Sequence, residues 1–151
     1  MIHKQNRQYL FLLALLFLLS ALLAACSGKP VSPTESKIKM APLDEMPEQV
    51  KKAPLNVQQA YQFAVANPEI LGQIPCYCGC GKIGHTSNYS CYASGVDVDG
   101  KIDFDNHALG CSICVDITQD TKRLLIEGKT VQEIRAYVDQ TYAKYGPSNM
   151  K

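Results

Sequence analysis

Six of the chain's seven cysteines fall between Cys76 and Cys114. Thiols at that density have to be paired as disulfides, bound to metal or turned over as redox groups, and each choice demands a different local fold. The first group is the string Pro75-Cys76-Tyr77-Cys78-Gly79-Cys80. In an extended chain side chains alternate, so Cys76, Cys78 and Cys80 face one way and Tyr77 the other. Close neighbours in such a run are poorly placed to pair with each other, because disulfide geometry is demanding. They are well placed to converge on a soft cation.

The second group is His107, Cys111 and Cys114. Steps of four and three put these residues on one helix face, within roughly 60° at 100° per residue. The spacing predicts a helix over about residues 106–127, with Ile113, Ile117 and Leu124 on its core side and Gly128 closing it. His85 and Cys91, between the two groups, are further candidate ligands. One structural zinc needs four donors, and this chain offers more. Thiolate-rich sites suit Cu(I) and zinc, with Cu(I) the softer match.

Two alternatives to metal stay open. Six cysteines can make three disulfides that staple a small domain, with 15 possible connectivities, giving a structural or protein-binding module without metal. Alternatively, Cys111-Ser112-Ile113-Cys114 is a C-x-x-C pair that would act as a redox thiol if it opened a helix. The predicted helix begins near His107, which puts the pair inside it instead. Asp97, Asp99, Asp103 and Asp105 do not make a calcium loop, because Ile102 stands where the EF-hand needs glycine and no glutamate closes the loop. Tyr77, Tyr89 and Tyr92 read as loop packing.

The N-terminus sets the compartment. Lys4 and Arg7 precede an apolar run from Tyr9 to Ala25, broken only by Ser20, that ends Leu23-Ala24-Ala25-Cys26. The run is slightly short for a spanning helix and stops at small residues, as a cleaved signal peptide does. A signal anchor with an incidental cysteine is the alternative. The ending resembles the lipobox of bacterial lipoproteins, which implies cleavage before Cys26 and lipidation of its sulfur. Several acyl chains, at about 0.8 kcal/mol per buried methylene, hold a protein to a membrane firmly. The chain is thus expected on the outer, extracytoplasmic face of a membrane, where thiols oxidise unless something protects them.

Residues 1–25 therefore read as leader and 26–55 as a lipidated cysteine followed by a disordered tether holding Pro30, Pro33, Pro42, Pro47 and Pro54. Met40 and Met46 read as linker residues. The folded part spans 56–146, with a tail at 147–151. In it, Asn56 is placed to cap a helix with the stripe Val57, Ala60, Tyr61, Ala64 and Val65. Asn67-Pro68 starts a short helical turn burying Ile70, Leu71 and Ile74. Asp99-Gly100 suggests a small hairpin. Thr130 and Glu133 form a capping box before a helix whose inner stripe is Val131, Ile134, Val138 and Tyr142. The fold class is mostly α: a small helical domain with a cysteine-rich loop inserted between its helices.

Charged residues are 19% of the chain, and without Lys4 and Arg7 the 15 basic residues fall to 13 against 14 acidic. That balance excludes a nucleic-acid partner of the usual basic kind. No nucleophilic triad, phosphate loop or carboxylate pair is present, so the chain is not expected to be an enzyme.

The string at 75–80 resembles the signature of the bacterial PCYCGC motif-containing lipoproteins. Asn67-Pro68-Glu69, the run from His107 through Cys111 to Cys114-Val115-Asp116, and Glu133-Ile134-Arg135 are similar to that family as well. The resemblance implies a lipoprotein whose cysteine pattern suggests metal binding. The expected partners are the membrane, the metal ion and a protein that delivers or receives it.

Overall fold

A computed structural model describes residues 38–151. The leader, Cys26 and the first part of the tether lie outside the described residues. In chain order the α-helices are α1 (Glu48–Lys51), α2 (Leu55–Ala66), α3 (Pro68–Leu71), α4 (Ser112–Ile126) and α5 (Val131–Tyr142). Between α3 and α4 lie short 3-10 turns and one antiparallel hairpin, β1 (Ala93–Val96) and β2 (Ile102–Phe104). The mostly helical fold with a cysteine-rich insertion is therefore the one observed. No helix among the described residues is long and apolar enough to cross a membrane.

The core forms where α2 packs on α4 and α4 on α5. Val57, Ala60, Tyr61, Ala64 and Val65 of α2 are all buried, as their spacing requires. Pro54 rather than Asn56 occupies the position before this helix, and Asn56 lies within it. On α4, Ile117 and Leu124 are buried and Ile113 is half-buried. Thr130 caps α5 with its side chain, and Glu133 returns the bond to the Thr130 backbone N–H, a complete capping box. Ile134, Val138 and Tyr142 of that helix are buried. The hairpin is present, with Gly100 at φ 80° in its turn and Asp97 accepting the N–H groups of Asp99 and Lys101.

Part of the expected tether belongs to the fold. Met46 and Val50, four residues apart, are 3% and 0% exposed and join the core. Met46 is therefore a core residue, not a linker residue. The segment lies along α2, whose side-chain amides clasp its backbone, helped by the residue that follows the helix. Gln58 donates to the carbonyls of Lys51 and Ala53, Gln62 to that of Ala41, and Asn67 to that of Lys39. Prolines have no N–H to satisfy, so a proline-rich stretch can be ordered by a few amide donors without a long helix or a sheet of its own.

The tail at 147–151 docks as well. The Asn149 backbone N–H donates to the Cys76 carbonyl, and its side-chain oxygen accepts the Cys76 N–H at 2.7 Å. Gly146 makes this approach possible, since a Cβ there would stand 2.9 Å from the Tyr77 carbonyl oxygen.

Candidate metal centre

Cys76 leaves Pro75 in irregular backbone, and the chain then turns sharply at Gly79, whose φ of 86° is a left-handed conformation. Cys80 opens a 3-10 turn immediately after it. The three cysteines converge as their spacing suggests, but a glycine turn achieves it rather than strand alternation alone. Their sulfurs lie within 4.8 Å of one another.

The second group meets by a different route from the one the spacing implies. His107, Cys111 and Cys114 do not share a helix. His107 opens a separate 3-10 turn, His107–Leu109. The Asp105 carboxylate captures its backbone N–H at 2.7 Å. Cys111 is extended, at φ −122° and ψ 99°, and forms the N-cap of α4. Cys114 is then in the first turn of α4. The C-x-x-C pair therefore opens a helix instead of lying inside one.

Seven donors gather. Four groups have ligand atoms all within 4.8 Å of one another: Cys78, His107, Cys111 and Cys114; Cys76, Cys78 and Cys80; Cys76, Cys91 and Cys114; and Cys80, Cys91 and His107. Every cysteine and His107 from the two sequence groups is present. Cys91 is as central as any of them and is 0% exposed. His85 is in none of the groups. Its ring packs edge-on against His107 with centroids 5.2 Å apart, and its Nε2 lies 3.4 Å from Asp105. Its buried Nδ1 has no hydrogen-bond partner among the described residues.

The spacings suit a shared cation. Cys76 Sγ lies 3.4 Å from Cys78 Sγ and 3.5 Å from Cys114 Sγ, Cys78 and Cys114 are 3.5 Å apart, and Cys80 and Cys91 are 3.7 Å apart. Cys78 Sγ is 3.4 Å from His107 Nε2. Sulfurs bound to one tetrahedral ion through bonds of about 2.3 Å lie about 3.8 Å apart. No disulfide joins the described cysteines. Cys76, Cys80, Cys91 and Cys114 are buried, while Cys78, Cys111 and His107 are half-buried. The cluster therefore has a closed inner side and a side open to solvent.

The clustered thiols shift one another's acidity in opposite directions. Cys76 is pushed down to about 2, mainly by S–H groups donated from Cys114 and then Cys91, against the opposing effect of burial. Cys114 is pushed far up by donating to Cys76, then by its contact with Cys91 and by burial. Burial and the Cys76 charge also raise Cys78 and Cys80. The arrangement is a thiolate solvated by neighbouring thiols, a state from which a soft cation can displace the remaining protons.

A buried polar relay holds the loop against α4. Tyr92 Oη donates to Thr118 Oγ1 at 2.7 Å, Thr118 donates to Asn88 Oδ1 at 2.6 Å, and Asn88 Nδ2 donates to the Cys114 carbonyl at 3.2 Å. The Tyr61 hydroxyl, from α2, donates to the Asp105 carbonyl. Asn149 Nδ2 lies 3.5 Å from Cys80 Sγ and donates to the Ser87 carbonyl. Tyr92 is thus a packing residue with a polar handle. Asn88 and Asn149 have no spacing signal that would reveal them, because their partners are far away in sequence.

A family model described as "Protein of unknown function with PCYCGC motif" matches residues 15–149. The chain belongs to the PCYCGC motif family. Comparisons with curated proteins and with solved structures find no match. In this member the motif cysteines meet those at the start of α4 across the insertion, forming a Cys/His cluster that could hold a metal ion. The PCYCGC string supplies three of the seven donors.

Proposed function

We propose that this PCYCGC protein is a lipid-anchored, extracytoplasmic metal-binding protein that captures, buffers or hands over Cu(I), with zinc the second candidate. One observation carries the reading: six sulfurs and one imidazole gather in overlapping groups within 4.8 Å. Soft thiolates select soft cations, and a cation removes the cost of deprotonating several neighbouring thiols. The ligands are Cys76, Cys78, Cys80, Cys91, His107, Cys111 and Cys114. The half-buried side at Cys78, Cys111 and His107 is where metal enters, leaves or passes to a partner protein. The Leu-Ala-Ala-Cys ending supports cleavage before Cys26 and anchoring of its lipid in the outer face of a membrane. The protein binds and transfers without catalysing a reaction.

The test is metal content together with thiol count on the full chain, purified in detergent without chelator. Elemental analysis is expected to find copper or zinc at one or more per chain, and most of the six clustered cysteines should react when the denatured chain is alkylated. No free thiol in the chain as purified, and no metal bound even after reduction and anaerobic loading with Cu(I) or Zn(II), overturns the reading. For the anchor, Cys26→Ser should move the protein out of the membrane fraction and remove the lipid mass.

A second reading is favoured by the position of Cys111 as the N-cap residue of α4, three residues before Cys114 in its first turn. There Cys111 and Cys114 would exchange disulfides. Against it, Cys114 is fully buried and held as a thiol. Redox turnover should vanish in Cys111→Ser, and metal content that survives this substitution would favour the exchange reading.

A further inference from the structure

The four donor groups have a connectivity of their own. Cys76, Cys78, Cys80, Cys91 and Cys114 each belong to two groups, and any two groups share only one of these five sulfurs, except where they meet at His107. A nitrogen of His107 has one lone pair and serves one ion. The group with Cys78, Cys111 and Cys114 is complete with three sulfurs, whereas the group with Cys80 and Cys91 lacks a third donor unless His107 supplies it. Assigning His107 there gives four sites of three donors. Five sulfurs bridge two sites each, and Cys111 and His107 each bind at one.

Resting on the metal-binding reading, we propose that the site is built for a cluster of four Cu(I) ions bridged by thiolates, not for a single ion. A thiolate sulfur has lone pairs enough to bridge two soft cations. Cu(I), with a filled d shell, is content with three thiolate donors, which sit about 4 Å apart around bonds near 2.3 Å. The contacts of 3.4 to 3.7 Å among Cys76, Cys78, Cys114, Cys80 and Cys91 need only slight expansion. Zinc in proteins prefers four ligands, and of the four groups only Cys78, His107, Cys111 and Cys114 offers four. Charge points the same way. Six thiolates around one divalent ion leave four uncompensated negative charges in a mostly buried site, while four Cu(I) ions leave two. Each ion enters as Cu(I) and displaces thiol protons to solvent, so no electron transfer is required. Because filling one site positions a bridging sulfur for most of the others, the ions should load together.

Anaerobic titration of the reduced full chain in detergent with Cu(I), followed by native mass spectrometry, tests this. The expected spectrum holds metal-free and four-copper species with little between them, and ultraviolet excitation gives the orange emission of solvent-shielded copper–thiolate clusters. Saturation at any other copper number overturns the cluster. At one or two coppers the metal-binding reading survives its failure, and at none both fall. Cys91→Ser provides a second measure. It removes a bridge between two sites and should at least halve the copper taken up, with helix content by circular dichroism as the folding control. Uptake of four ions by this variant also overturns the proposal.

Discussion

The helical part and the insertion of this molecule are stabilised by different means. α2, α4 and α5 bury periodic apolar stripes and satisfy their backbone internally, and α5 carries a full capping box. The insertion from Pro75 to Gly110 has only short 3-10 turns and a two-stranded hairpin. Its order comes from a few buried side chains such as Tyr77 and Tyr92, and from single contacts to distant residues: Asn88 to α4, Tyr61 to Asp105 and Asn149 to Cys76. The helices should therefore fold without a cation, whereas on the proposed reading the insertion is held near its final shape and a cation would complete it. A cluster placed this way could give up an ion without unfolding the domain.

The largest expected effect tests the helical side. Ile117 is fully buried in α4 at the core, and Ile117→Ala should cost about 2–5 kcal/mol through lost burial and the cavity left behind. Denaturant unfolding of the metal-free chain measures it. An unchanged midpoint would mean that the helices are not the scaffold on which the insertion rests.

A smaller effect should appear on the other side. Asn88→Ala removes the donor to the Cys114 carbonyl and the acceptor of the Thr118 hydroxyl. The expected cost is about 1–3 kcal/mol, the range for unpairing a buried polar group. It should fall near the lower end, because Thr118 also lies 3.0 Å from the Cys114 carbonyl and can turn to it. Hydrogen exchange should quicken in residues 85–92 while α5 keeps its protection. Uniform loss of protection over both regions would show that helices and insertion unfold as one unit.

The same division separates what was legible in the sequence from what was not. The stripe of α2 and the box of Thr130 and Glu133 are local patterns, and local patterns survive folding. His107, Cys111 and Cys114 are also spaced for a helix, yet the Asp105 carboxylate takes the His107 N–H and the helix starts only after Cys111. An extended Cys111 after Gly110 separates the His107 turn from α4, so the helical spacing is not realised. The three residues still converge, so the ligand set was legible for a partly mistaken reason. Met46 and Val50 were hidden by the prolines around them, since most of the amides that order this segment sit on α2. Cys91 could be recognised as a candidate but not ranked, because its importance comes from sulfurs at positions 76, 80 and 114. Asn149 left no signal, as its partner Cys76 is 73 residues away.

The smallest expected effect should stay wholly on the helical side. Thr130→Ala removes the side-chain oxygen that accepts the Glu133 N–H, and with it the geometry that lets Glu133 return the bond. The loss should be about 1 kcal/mol, as for other threonine caps. The Glu133 carboxyl, held below its usual range by hydrogen bonds from Thr130, should titrate closer to an ordinary glutamate in this variant. The sign follows from linkage. The folded chain holds that carboxylate more strongly than the unfolded one, so the capping contribution is present above the unfolded pKa and fades as pH falls through the folded value. Thr130→Ala should therefore differ from the parent at neutral pH and converge on it in acid. Copper uptake should be identical in the two proteins, because α5 supplies no ligand. A change in metal stoichiometry on loss of this cap would show that the helical side and the cluster are coupled after all.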